Sequence, residues 1–154
     1  MAKRTVYGHS HSENGWPMVD TGSCEWINVP GVQVQLEIQN GEPLWILRAW
    51  AADFNAYVEP LRNPDSACWT PTNSVATSNH LSGTALDLNW NGADGETFRL
   101  HQPEHVNFPP PKNVVIREML DWYEGLIFWG QDWGIRDGMH FQMNGNTYGN
   151  SRTQ

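Results

Sequence analysis

The chain has 154 residues, 39% of them hydrophobic, with nine tryptophans and a formal net charge of −8. That length and apolar content fit one folded domain with its own core and exclude a disordered chain. The acidity excludes nucleic acid as a partner, since such binding rests on neutralising phosphates with Lys and Arg, and it disfavours unaided adsorption to an anionic surface.

From the start of the chain, "MAKRTVYGHSHSENGW" carries basic residues with no apolar stretch behind them, which excludes an ordinary secretory signal peptide. No run of about 18 apolar residues follows anywhere, so no transmembrane helix and no membrane partner are expected. Residues 1–31, rich in Gly, Ser and Asn, read as an extended arm with short strands, and His9 and His11 as surface histidines. Cys24 and Cys68 are too few for a disulfide framework and too far apart for a zinc knuckle, and read as idle thiols. "VQVQLEIQN", 32–40, alternates at period two and predicts a half-buried strand with Val32, Val34, Leu36 and Ile38 inward.

The period then changes. "GEPLWILRAWAADFNAYVEPL" places Pro43 in a first helical turn and Leu47, Trp50, Ala51, Phe54 and Val58 at helical spacing, with Pro60 closing the segment. Residues 63–79 are turn-rich. "GTALDLNW" reads as a strand with Ala85, Asp87 and Asn89 on one face and Thr84, Leu86 and Leu88 on the other. A long loop, 91–112, holds His101 and His105 as solvated residues. "NVVIREMLDWYEGLIFW" predicts a second helix striped by Ile116, Met119, Leu120, Tyr123 and Ile127, stopping at Gly130, and "IRDGMHFQM" a last strand. Residues 144–154 are polar and Gly/Asn-rich, a tail or linker towards a further module.

His80 and Asp87 from one segment, with His140 from a distant strand, are a plausible donor set for zinc, whose catalytic sites use three protein ligands of nitrogen, sulfur or carboxylate type. Gly83 permits a turn or a close backbone approach, and Ala85 keeps the face beside Asp87 clear. Trp69 and Trp90 flank this segment and are candidates to shape a cleft.

Ser78, His80, Gly83, Ala85 and Asp87 reproduce an S-x-H-x-x-G-x-A-x-D pattern, and in this the chain resembles the D-alanyl-D-alanine carboxypeptidase-like zinc peptidases. That family's second element, an acid three residues before the last ligand histidine, is here Asp137-Gly138-Met139-His140. Asp in place of the common Glu, without a Trp before the histidine, is similar to the branch of phage L-alanyl-D-glutamate endopeptidases. "KRTVYGHSHSENGW", "AADFNAYVEPLR" and "SNHLSGTALDLNWNG" further resemble the N-terminal peptidase modules of mycobacteriophage lysin A endolysins, over most of residues 3–143.

The resemblance implies an α+β fold in which an antiparallel sheet flanked by helices carries the metal, with residues 1–143 as the peptidase domain. It implies Zn2+ held by His80, Asp87 and His140, and Asp137 as general base. Asp137 and His140 have opposite parity on one strand, so a kink at Gly138 is needed to aim both at one cavity. The family's S-G-x-R arginine is absent; Arg62 is the nearest candidate for its catalytic role, and Ser78 a candidate for substrate binding. The implied activity is hydrolysis of an amide in peptidoglycan stem peptides by a monomeric endolysin module, which waits in the host cytoplasm until lysis brings it to the wall. Trimming of terminal D-Ala by a D,D-carboxypeptidase, and a non-catalytic wall-binding module with a retained zinc site, are the competing expectations.

Overall fold

The computed structural model describes residues 3–149. Strands β1 (Cys24–Asn28) and β2 (Gln35–Gln39) form an antiparallel hairpin that leads into helix α1 (Glu42–Tyr57). After β3 (Ala85–Asp87) come a one-turn helix α2 (Glu104–Asn107), helix α3 (Lys112–Trp122), β4 (Ile127–Trp129) and β5 (His140–Met143). The second sheet is antiparallel in the order β3-β5-β4, with the last strand at its centre. The result is the expected α+β architecture. Among the described residues no helix is long and apolar enough to cross a membrane.

Alternation along β5 sorts the sheet into two faces. Phe141 and Met143, with Leu86, Ile127 and Trp129 from the neighbouring strands, enter the hydrophobic core. Helix α1 covers them: its Trp50 and Phe54 rings lie 5.2 and 5.6 Å from Phe141. Leu47, Trp50, Ala51 and Phe54 are fully buried at their helical spacing, and each large side chain contributes on the order of 2–3 kcal/mol by leaving water. The opposite face carries His140 and Gln142, paired in register with Asp87 and Ala85. Core packing on one residue thus fixes the direction of its neighbour on the other side of the sheet.

Several expected boundaries shift. The strand expected over 32–40 is β2 and begins at Gln35 rather than residue 32, because Val29 N–H donates to Val34 O and closes a turn there. The second helix stops at Trp122, eight residues before Gly130, since Glu124 (φ 53°) and Gly125 (φ 77°) leave the right-handed region. Ile127 therefore sits in β4 and matches the helical stripe only by its spacing. The loop 91–112 contains α2 and buries Arg99, Asn107 and Phe108; Arg99 makes a two-pronged ion pair with buried Glu59. The N-terminal arm is no loose extension, for Trp16, Met18 and Val19 are core residues. The tail as far as residue 149 docks on the domain, with Thr147 Oγ1 accepting from Trp16 Nε1–H at 2.8 Å; the rest of the expected linker, 150–154, lies outside the described residues.

Gly83 ties the hairpin to the segment before β3. Its φ is +66°, its carbonyl accepts from Gln39 N–H at 3.0 Å, and a Cβ there would come within 2.9 Å of Gln39 N and 3.2 Å of Cys24 Sγ. Gly83→Ala is expected to cost roughly 2–4 kcal/mol, adding left-handed backbone strain to overpacking, and a lowered urea midpoint with unchanged slope would show it.

Candidate metal centre

The site begins with backbone pairing. Asp87 and His140 are direct partners across β3 and β5, so their side chains leave the same face of the sheet. His80 arrives from the turn before β3, which is pinned by Leu81 N–H to Ser78 O, Gly83 N–H to His80 O and Thr84 N–H to Asn79 O. The Nε2 of His80 lies 3.1 Å from Asp87 Oδ2, and Nδ1 of His140 lies 3.3 Å from Asp87 Oδ1. One donor atom from each of the three residues falls within 4.8 Å of the others, with the two imidazole rings edge to face.

Each ring is turned by a hydrogen bond on its far side. His80 donates Nδ1–H to Cys68 O at 2.7 Å, and His140 donates Nε2–H to Gln142 Oε1 at 2.8 Å. Those bonds direct His80 Nε2 and His140 Nδ1 inward, as outer partners of metal-binding histidines do. Asp87 Oδ1 is shielded from solvent and has no hydrogen-bond partner. Two ring nitrogens and a carboxylate converging in this way fit a zinc ion with one coordination position left open.

Burial pulls the His80 ring down, but the Asp87 carboxylate and the Cys68 carbonyl more than offset it and lift the group to about 9. Burial likewise opposes ionisation of Asp87, which the two imidazoles overcome, holding it well below the usual carboxylate range. A metal entering at neutral pH therefore displaces a proton, and affinity falls as pH drops.

Asp137 faces the same cavity. The strand kink expected at Gly138 is a turn: His140 N–H donates to Asp137 O at 3.2 Å, reversing the parity of the intervening residues. Gly138 is required there, since a Cβ would lie 2.4 Å from Asn107 Nδ2. The Asp137 backbone is bridged to Leu100, and its N–H donates to Gly130 O at 3.0 Å. Burial first, then the Asp87 charge, push Asp137 up to about 6, against the pull of His140, His80 and His101. Its Oδ1 is enclosed and unpartnered.

These groups line a cleft of about 840 Å³ with one apolar wall, including Trp90, Phe98, Leu100 and Ile135, and a polar rim running from Asn73 to Asn79 and Glu13. Ser78 lies on that rim, its Oγ accepting from His80 N–H at 3.2 Å. Trp90 lines the cleft, whereas Trp69 faces elsewhere and donates Nε1–H to Val19 O. Arg62 is not brought to the site. Its guanidinium pairs with Asp65 at 2.5 Å and donates to the carbonyls of Gly92 and Ala93, and it is not among the cleft residues. Cys24 and Cys68 are free thiols, both raised chiefly by burial, Cys24 to about 12. His101 and His105 are exposed.

Sequence reasoning misses Trp133, whose ring packs 4.7 Å from that of His140. It also misses buried Asn14, Asn79 and Gln142. For Gln142 a signal exists, because it sits two residues beyond His140 on the same strand face; for Asn14 there is none.

Residues 71–143 match the family model described as D-alanyl-D-alanine carboxypeptidase. The matched stretch takes in the cleft rim from Asn73 to Asn79, the three converging side chains and Asp137, and it supports metallopeptidase chemistry at a site whose residues could hold a metal. No curated protein and no solved structure matches the chain.

Proposed function

We propose, starting from the family match over residues 71–143, that the chain is a zinc-dependent peptidoglycan peptidase cutting an internal amide of the stem peptides. The observation that carries this reading is the convergence of His80 Nε2, the Asp87 carboxylate and His140 Nδ1 beside Asp137 in one open cleft. Bound zinc supplies Lewis acidity, lowering the pKa of a water and polarising a carbonyl. Asp137 takes the proton of the attacking water and delivers it to the leaving amine. A carboxylate near 6 suits both tasks, being more basic than an ordinary Asp yet ionised at neutral pH. The apolar wall holds the side-chain methyl groups of the peptide, and the rim from Asn73 to Asn79 faces its backbone.

The family description favours a second reading, a D,D-carboxypeptidase acting on terminal D-Ala. Such a substrate presents a free carboxylate, and among the described residues lining the cleft there is no Lys or Arg to receive it, whereas three carboxylates, Glu13, Asp87 and Asp137, oppose it. That charge balance supports cleavage within a chain. The sequence resemblance to mycobacteriophage endolysin modules supports the setting, a phage enzyme released from the host cytoplasm onto the wall.

Digestion of purified diaminopimelate-type peptidoglycan, with and without chelator, tests the proposal by mass spectrometry of the released fragments. New internal amine termini that vanish with chelator are expected. Free D-Ala alone would establish the carboxypeptidase. No cleavage by folded, zinc-loaded protein would leave the wall-binding module.

A further inference from the structure

His140 can bind a metal through Nδ1 only while its proton rests on Nε2, and the residues that decide this reach back to the N-terminal arm. Gln142 Oε1 accepts that proton at 2.8 Å. A Gln amide turned over would present its NH₂ instead and force the proton onto Nδ1, where it would block the metal. Two contacts oppose that turn: Asn79 donates Nδ2–H to the same Oε1 at 2.6 Å, and Gln142 Nε2–H points to Glu13 Oε1 at 3.4 Å.

Asn79 faces the same ambiguity, and it is resolved by a group with none. The backbone N–H of Asn14 donates to Asn79 Oδ1 at 2.9 Å, and a backbone amide can only donate. Asn14 is itself held on every side. Its Nδ2 donates to Thr84 Oγ1 and to Met143 O, both at 2.9 Å, and its Oδ1 accepts from Ser12 Oγ at 2.8 Å. Ser12, Asn14, Asn79 and Gln142 are each at least 95% buried, so water does not compete.

We propose that the buried relay Asn14 N–H, Asn79, Gln142 sets the tautomer of His140, making the N-terminal arm part of the metal centre. Asn14 lies outside the stretch 71–143 that matches the family model, so the match assigns it no role. Asn79 and Gln142 are positioning residues acting through His140, and the inference rests on the metal reading above.

The test pairs a spectroscopic readout with an affinity. In ¹⁵N-histidine-labelled protein stripped of metal, long-range ¹H–¹⁵N spectra above pH 9 are expected to show His140 protonated on Nε2. Gln142→Leu, which cannot accept, and Asn79→Ala, which frees the amide to turn, should weaken zinc binding by about 10–100-fold in competition with a chromophoric chelator. Gln142→Glu, made together with Glu13→Gln so that no second carboxylate faces it, still accepts from both His140 and Asn79 and should lose far less than the roughly 10–100-fold that removal of an outer partner costs. Thermal melts confirm that each variant is folded. Equal losses in Gln142→Leu and in the Gln142→Glu, Glu13→Gln double variant would reduce the relay to packing and overturn the proposal, as would His140 protonated on Nδ1. Absence of zinc binding in the parent with the Nε2 proton in place would instead refute the metal reading and leave the relay standing.

Discussion

Asp137→Asn is expected to lower peptidoglycan hydrolysis by about 10²–10⁴-fold, the usual contribution of a positioned proton shuttle, while zinc stays bound at the parent stoichiometry. Asn has the same shape and cannot take a proton, and none of the three converging donor atoms belongs to residue 137. The same substitution should stabilise the metal-free protein at neutral pH. Asp137 is raised from 3.8 to about 6 in the fold, so its favourable linkage is fully present below about 3.8 and lost as pH rises through about 6. Above that range the buried charge is a burden that Asn does not carry. A shift of this size corresponds to at most about 3 kcal/mol, and the partial exposure of the side chain brings the expected gain nearer 1–2 kcal/mol. Urea unfolding of both metal-free proteins at pH 7.5 and pH 4 measures it: a gain at the first pH and none at the second. Parent-level hydrolysis by the variant would remove Asp137 from the mechanism. In the parent, kcat/KM should fall on the acid side with an apparent pKa at or below about 6, since a bound dication lowers the carboxylate further.

Asp87→Ala should be the more damaging change. Asp87 lies 3.1 Å from His80 Nε2 and 3.3 Å from His140 Nδ1, and its loss leaves two neutral imidazoles to hold a dication. Zinc affinity should drop by more than the roughly 100-fold that loss of an outer partner costs, and hydrolysis should fall to background, both read by metal analysis and fragment mass spectrometry. The metal-free variant carries a second readout. With its anionic neighbour removed, burial governs His80, whose pKa should fall from about 9. His80 in the parent contributes stability fully present below about 6.5 and lost as pH rises through about 9, so the variant should be the less stable protein at pH 7 and approach the parent above pH 9. An unchanged His80 titration would mean that Asp87 does not hold the ring.

Much of this was legible in residue patterns, and where it was not the reasons are physical. The spacing of His80, Gly83, Ala85 and Asp87 gives the local half of the site because Gly83 is required by both its φ and its neighbours. His140 could be placed on the same face as Asp87 only by resemblance, since strand register is a tertiary property. Ile127 shows how a 3.6-residue period misleads when a Gly two residues earlier has already ended the helix. Arg62 shows the limit of position: proximity in sequence to the metal segment says nothing of Asp65, three residues away, which captures the guanidinium. Asn14 is the least legible of all, because a polar residue in a Gly/Ser-rich arm reads as solvated until the partners that bury it, as distant as residue 143, are known.

The central place of β5 in its sheet also sets an order of events during synthesis. Strands β3 and β4 are not neighbours in that sheet; each is joined to it through β5. A nascent chain can close the β1–β2 hairpin and lay α1 against it from local contacts, but it has no second sheet until residues 140–143 have left the ribosome. That last strand brings His140 with it. Completion of the sheet and assembly of the candidate metal centre are therefore one step, and a ribosome-bound fragment stalled before residue 140 is expected to lack the three-residue donor set.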